Sequence, residues 1–398
     1  MLKNPNPKEI EEVLKENVEA IYPNFELLKK IMMEGKKLRV YCGFDPSSPF
    51  LHYGHLTNLK KLAKFQKLGH KVIMLIGDFT GMIGDPTGKI STRKKLTRRE
   101  VVENSKNYGK IARKILNFGW DNPAEILYNS KWLDKISFKD LIELASNFTV
   151  QQMIIRDMFQ ERINQKKPIY LQEFLYPLAQ AYDSVAMDID LEIGGSDQIF
   201  NMLCGRDLMK ILKNKEKFVL ATKLIADPSG KKMGKTEGNI IDITKPEELR
   251  KGIMRMDDSL IDSVSSGTPF ISSVEFNKIN EIRVLDPIKA KEMIADKNVS
   301  GLFGEKKSEE TKKEFNLVSV EKQPPSKIQT IEIKEENLNI LDLLVKTGLV
   351  YSKSEAKRLI LQKGIKINGE VENDWEKNII IKKGMIIQLG KEKFIKVI

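Results

Sequence analysis

Three histidines occur in 398 residues, and two of them, His52 and His55, form a His-x-Gly-His arrangement. At the start of a helix that follows a strand, such a pair can direct imidazole N–H groups at phosphate oxygens. Unpaired backbone N–H groups and the helix dipole already favour an anion there. Gly54 leaves room for a flat base or ribose to approach the backbone. The bland alternative is a capped helix with two incidental histidines, against which the spacing and the strand–loop–helix setting argue. A metal site is a weaker rival, because no third ligand stands nearby at a familiar spacing. Far downstream, Lys232-Met233-Gly234-Lys235-Thr236 sets two lysines around a glycine, after the turn-rich Asp227-Pro228-Ser229-Gly230-Lys231. Taken alone this is a solvated lysine turn. Paired with the histidines, it becomes a loop whose ammonium groups can close over a triphosphate and stabilise charge on departing pyrophosphate. Gly84 to Lys89 superficially suggests a phosphate-binding loop, but Ile90 stands where Ser or Thr is required. With no Gly-x-Gly-x-x-Gly fingerprint either, a Walker-type NTPase and a dinucleotide dehydrogenase are disfavoured.

These groups need a frame. Apolar spacing predicts an amphipathic helix over residues 8–34, and a short buried strand runs from Leu38 to Phe44. The loop Asp45–Pro49 follows, then a helix through Leu56–Leu68 ending at Gly69, then a strand from Lys71 to Ile76. This is one right-handed βαβ unit, so the fold class is α/β with a parallel sheet, and ligands bind beyond the carboxyl ends of its strands. Residues 137–165 and 173–190 read as helical, as do most of 246–300. Glu305 to Glu336 is charge-rich with Pro324-Pro325 inside it and reads as loosely packed. A separate α+β module follows, with helices around Ile340–Lys346 and Ser354–Gln362. Strands at Ile365–Ile367, Asn378–Ile381 and Met385–Leu389 are joined by Asn368-Gly369 and Lys383-Gly384 turns.

Composition bounds what these parts can serve. An apolar content of 41% is enough for a sizeable core, and two cysteines, Cys42 and Cys204, cannot build a disulfide framework. The absence of a long apolar run points to a cytoplasmic protein with no membrane partner. The formal net charge is +12, and its location matters more than its size. Residues 89–114 hold ten basic and two acidic residues, and residues 336–398 hold twelve and eight, so these two windows carry the whole excess. A polyanionic partner, nucleic acid, is the expectation.

Together these residues resemble class I aminoacyl-tRNA synthetases. Within that class, Tyr41-Cys42-Gly43-Phe44-Asp45-Pro46, Gly77 to Pro86, Tyr176 to Asp183 and Gly194-Gly195-Ser196-Asp197-Gln198 resemble the bacterial tyrosyl-tRNA synthetase family. The C-terminal module is similar to the alpha-L RNA-binding domain, through its Ser352–Arg358 helix start and Lys366–Gly369 hairpin. The departures are Tyr53, where a branched apolar residue is usual, Gly234 and Thr236 in place of serines, and Ser47 in place of a common threonine.

The resemblance implies a Rossmann-like catalytic domain over residues 1–229, with a dimer-forming insertion at about 120–180. A helical domain contacting the anticodon stem over 230–325, a linker at 326–336 and an RNA-binding domain at 337–398 would complete the chain. The resemblance further implies that Tyr41 and Asp183 hold the phenol of tyrosine. Asp85, Tyr176 and Gln180 would hold its ammonium, and Gln198 would lie near its carboxylate. ATP would lie on Asp45, Ser47, Gly54, Gly195 and Asp197, with Lys89 and Arg93 on a mobile basic loop. His52, His55, Lys232, Lys235 and Thr236 would be the catalytic set. The implied activity is tyrosine activation by ATP and transfer to tRNA by a homodimer, with Mg2+ arriving on ATP and no dedicated metal site. A tryptophanyl-type enzyme is the nearest rival, and Tyr182-Asp183 and the C-terminal module argue against it.

Overall fold

A computed structural model describes residues 6–87, 95–226, 240–321, 323–326, 328–390 and 393–398. Two compact units divide it, Met1–Glu305 and Lys306–Ile398.

The first unit is built on a six-stranded sheet of β1 (Val18–Tyr22), β2 (Arg39–Phe44), β3 (Lys71–Ile76), β4 (Glu125–Tyr128), β5 (Leu191–Gly195) and β6 (Phe218–Thr222). Their spatial order is β1-β6-β5-β2-β3-β4, all parallel except β1, which runs antiparallel to β6. From β2 the chain order runs outward through β3 and β4 on one side and through β5 and β6 on the other, with β1 added at the far edge. The topological switch point, where such sheets bind ligands, therefore lies between β2 and β5. β2 pairs β3 along its length, from Arg39↔Lys71 to Phe44↔Ile76. Against β5 it registers at Val40↔Leu191 and Tyr41↔Glu192, and beyond those pairs a crevice can open.

Side-chain alternation assigns the two faces. Val40, Cys42, Phe44, Leu191, Ile193, Phe218 and Leu220 enter the main core with the Tyr53–Lys67 helix. Tyr41 and Val219 pack in separate clusters on the opposite face, that of the Leu171–Ala186 and Ile199–Lys213 helices.

The expected helix over 8–34 is divided by the structure. Helices Pro7–Lys15 and Phe25–Met33 flank β1, whose partner is β6. Asn17 adopts a left-handed φ of 51° and Pro23 lacks an amide hydrogen, so a helix cannot run through. Residues 137–165 form three short helices, Phe138–Ala145, Val150–Ile154 and Asp157–Asn164, rather than one. Ser137 and Thr149 cap the first two and restart the chain each time. Helices from Pro246 to Phe303 then close the unit over Leu249, Ile253, Ile294 and Val299.

Tyr53 is buried, and its hydroxyl donates to the Val264 carbonyl (3.0 Å) and to Asn298 Oδ1 (3.2 Å). The tyrosine that departs from the expected apolar residue therefore ties the His52–His55 helix to this helical layer.

In the second unit a five-stranded sheet and a two-stranded one enclose a core of Ile340, Leu343, Leu344, Ile360, Ile365 and Ile387. Asn368 and Gly369, at φ 49° and 90°, make the two-residue turn joining Ile365–Ile367 to Glu370–Val371. The charge-rich stretch is more ordered than its composition suggests. Glu305–Phe315 is helical, with Ser308 and Thr311 turned inward, and Gln329–Ile331 forms a strand parallel to Lys393–Val397. Both cysteines are buried free thiols. No helix among the described residues is long and apolar enough to cross a membrane.

Candidate active site

The Leu171–Ala186 helix presents Tyr176, Gln180, Asp183 and Ser184 at i, i+4, i+7 and i+8, a single helical face. That face meets Tyr41, whose hydroxyl lies 3.2 Å from Ser184 Oγ. Asp183 is buried and forms no ion pair among the described residues, although the Lys217 ammonium lies close enough to feel its charge. Its oxygens accept from Trp132 Nε1 (2.7 Å) and Asn129 Nδ2 (3.2 Å). Burial pushes its carboxyl well above the ordinary range, while these N–H donors pull it down. Burial also pushes the Tyr41 phenol up, with the Glu192 and Asp183 charges adding to it. A buried acceptor beside a tyrosine hydroxyl is suited to one polar group on an otherwise apolar ligand.

Nearer the strand ends, two further carboxylates face the crevice. Asp45 accepts from Thr80 Oγ1 (2.7 Å) and from the Tyr176 hydroxyl (2.8 Å). This contact requires Gly77, where an added Cβ would lie 1.9 Å from Asp45 Oδ1. Asp85 accepts from Gln198 Nε2 (2.7 Å), from the Thr87 amide (3.0 Å) and from Thr87 Oγ1 (2.6 Å). Gly195 ends β5 and Asp197 sits in the single turn Ser196–Gln198 after it, so both lie at the carboxyl edge. Ser47 is half-buried in the loop after β2, its amide 2.7 Å from the Asp45 carbonyl.

His52 is the N-cap of the Tyr53–Lys67 helix. Its backbone amide donates to His55 Nδ1 at 3.0 Å, which leaves the His55 proton on Nε2. The two rings lie with centroids 3.7 Å apart, tilted by 40° to one another, and Gly54 lies against the His52 ring. The Ile241 carbonyl accepts from the Tyr53 amide (3.1 Å) and Asp242 bridges to His52, so the chain at Ile241 and Asp242 runs beside the histidine pair. Lys232, Lys235 and Thr236 themselves, with Lys89 and Arg93, lie outside the described residues.

Sequence reading missed the supporting polar groups: Asn129 and Trp132 on Asp183, Thr80 on Asp45, Thr87 and Arg156 beside Asp85, and Glu192 with Lys217. Arg156 reaches the site by donating to Thr87 Oγ1 at 2.7 Å. Only the Glu192 alternation with Leu191 and Ile193 gave a local signal, since a charged residue amid a buried strand needs a partner. Among the described residues no group of three or more His, Cys, Asp or Glu is arranged to hold a metal ion.

Residues 33–349 match the family described as tRNA synthetases class I (W and Y), and residues 320–397 match the tyrosine–tRNA ligase SYY-like C-terminal domain. The chain is 40% identical over 396 residues to the tyrosine–tRNA ligase of Thermotoga maritima, covering 98% of both. It is 39% identical over 398 residues to that of Aquifex aeolicus, covering 98% of this chain and 99% of the other. Among solved structures, a C-terminally truncated mitochondrial tyrosyl-tRNA synthetase of Aspergillus nidulans superposes with TM-score 0.65 at 22% identity, covering 77% of this chain and 91% of that one. The Archaeoglobus fulgidus tyrosyl-tRNA synthetase complexed with L-tyrosine gives 0.59 at 20%, covering 76% and 99%. At such identities the structural likeness concerns the fold.

Proposed function

The chain belongs to the class I tRNA synthetases of the tryptophan and tyrosine group, and from that premise we propose that it joins L-tyrosine to its tRNA in two steps. In the first, the tyrosine carboxylate attacks the α-phosphorus of ATP, forming a new P–O bond as pyrophosphate leaves with the electrons of the broken one. In the second, the terminal ribose hydroxyl of the tRNA attacks the tyrosyl-adenylate carbonyl and AMP departs. A carboxylate is already ionised at neutral pH, so the first step needs no general base. Catalysis of that step is positioning and charge stabilisation.

The observation that carries the tyrosine reading is the Asp183 carboxylate, buried without an ion pair among the described residues, held by two N–H donors and set on the helix face that meets Tyr41. A phenol hydroxyl can donate to the acceptor capacity those two N–H groups leave over, a hydrogen bond that phenylalanine cannot supply. Asp85, Tyr176 and Gln180 receive the ammonium and Gln198 lies by the carboxylate. Asp45, Ser47, Gly54, Gly195 and Asp197 hold ATP, with Lys89 and Arg93 on the pyrophosphate side. His52, His55, Lys232, Lys235 and Thr236 stabilise the transferring phosphate. Mg2+ would arrive on the ATP oxygens, where a hard cation that keeps its water shell is best held; it supplies charge neutralisation on the triphosphate.

The tRNA would meet the basic 89–114 segment and the C-terminal RNA-binding domain at 337–398, with 230–325 along the anticodon stem. A homodimer through 120–180 is supported by the exposed apolar side chains there, among them Trp120, Phe138, Ile142, Val150 and Leu171. The protein works in the cytoplasm on this reading. ATP–pyrophosphate exchange across the twenty amino acids tests it. Exchange with tyrosine alone is expected; exchange with tryptophan instead, or with none, overturns it.

A further inference from the structure

Behind the proposed ammonium site lies an ion pair that no step above uses. Glu192 and Lys217 are both buried, and Lys217 Nζ contacts Glu192 Oε2 and donates to the Met202 carbonyl at 3.1 Å. Register brings them together: Glu192 of β5 stands opposite Val219 of β6, and Lys217, two residues earlier, is its diagonal neighbour on the same face. The notch that receives the lysine ammonium is opened by Gly205 in the Ile199–Lys213 helix, where an added Cβ would lie 2.4 Å from Lys217 Nζ. On its other oxygen Glu192 accepts from Gln180 Nε2 at 3.0 Å. The Gln180 Oε1 atom is buried and has no hydrogen-bond partner among the described residues.

An amide can be turned either way in a neutral pocket, but a carboxylate accepts and never donates. Glu192 therefore holds the NH2 of Gln180 towards itself and leaves the Gln180 carbonyl oxygen as an unpaired buried acceptor. Lys217 supplies the countercharge without which a buried carboxylate is costly.

We propose that Glu192 and Lys217 are a positioning pair for the substrate ammonium, which fix the Gln180 amide with its carbonyl oxygen presented to the α-ammonium of the amino acid. This rests on the tyrosine reading above and names a part of the pocket that acts through Gln180 without touching substrate. The pair discriminates in favour of cationic ligands: an analogue that lacks the amino group gains nothing from it.

The test is the double variant Glu192→Gln/Lys217→Met, which removes both charges together and leaves no stranded ion. The introduced amide can donate as well as accept, so the Gln180 amide loses its fixed sense. Affinity for L-tyrosine, measured by calorimetry, is expected to fall at least threefold. Affinity for 3-(4-hydroxyphenyl)propionate, which keeps the phenol and carboxylate but has no ammonium, should stay within twofold, as should the KM for ATP. A tyrosine affinity reduced less than threefold, or equal losses for tyrosine and the analogue, overturns the proposal and leaves the pair a structural strut. The unaltered protein distinguishes the two levels. If it fails to bind tyrosine, the function is wrong; if it binds tyrosine and the double variant is indifferent, only the positioning role is wrong.

Discussion

Two carboxylates are buried around one crevice, and their surroundings differ. Glu192 meets a lysine ammonium, an amide N–H and, through that lysine, a backbone carbonyl. Asp183, on the neighbouring helix, has an indole N–H and an amide N–H and no ion pair among the described residues, and burial raises its pKa. A buried carboxylate with its charge matched is part of the scaffold and keeps its geometry whether or not a ligand is present. One that is solvated only by neutral donors retains acceptor capacity, and a ligand hydroxyl can use it. On the proposed function, the contrast separates the pair proposed to orient the pocket from the group proposed to read the ligand.

The largest expected effect breaks the matched pair. Lys217→Met leaves the Glu192 charge buried alone, and unfolding free energy in urea should fall by about 3–5 kcal/mol. The Glu192→Gln/Lys217→Met double variant should recover most of that loss. A single-variant loss under about 1 kcal/mol would put Glu192 in the same class as Asp183 and remove the distinction.

An unmatched group elsewhere in the same unit should respond to pH instead. His70 is buried, accepts from the Leu38 amide (3.1 Å) through Nδ1, and its pKa is pushed down to about 4, chiefly by burial. Its folded value lies below its unfolded one. Its contribution is therefore complete above about pH 6.5 and is lost as pH falls towards 4, to the extent of about 3 kcal/mol. His70→Gln, which keeps an acceptor, should flatten stability against pH across that window. Identical slopes in the two proteins would contradict the assignment.

The smallest effect tests neutral hydrogen bonding alone. Tyr53→Phe removes the hydroxyl from Val264 and Asn298 and should cost about 1–2 kcal/mol of stability. Tyrosine affinity should remain unchanged, as checked by urea unfolding and calorimetry. A shift in tyrosine affinity would link that helix contact to the pocket.

The groups at the crevice differ in how far their sequence announced them. The His52–His55 pair, the β2–helix–β3 unit and the Tyr176–Asp183 face are local patterns, each within one element or one short connection. Lys217 is one of 55 lysines, and what sets it apart is a register between two strands and a notch at Gly205, neither of which is local. Asn129 and Trp132 reach Asp183 from a different element for the same reason. The helix expected across 8–34 failed where apolar spacing remained helical but Asn17 and Pro23 stopped it, and β6 supplied the hydrogen bonds that make β1 a strand. In Glu305–Phe315 the charges lie on a solvated helical face, which composition alone reads as loose chain.

The proposed function turns on Asp183 as the acceptor of the phenol hydroxyl. Its most direct test is the ratio of exchange rates with tyrosine and phenylalanine, as kcat/KM, in the unaltered protein and in Asp183→Ala. A strong preference for tyrosine that collapses towards parity in the variant is predicted. An undiminished preference in a folded Asp183→Ala protein would contradict the account.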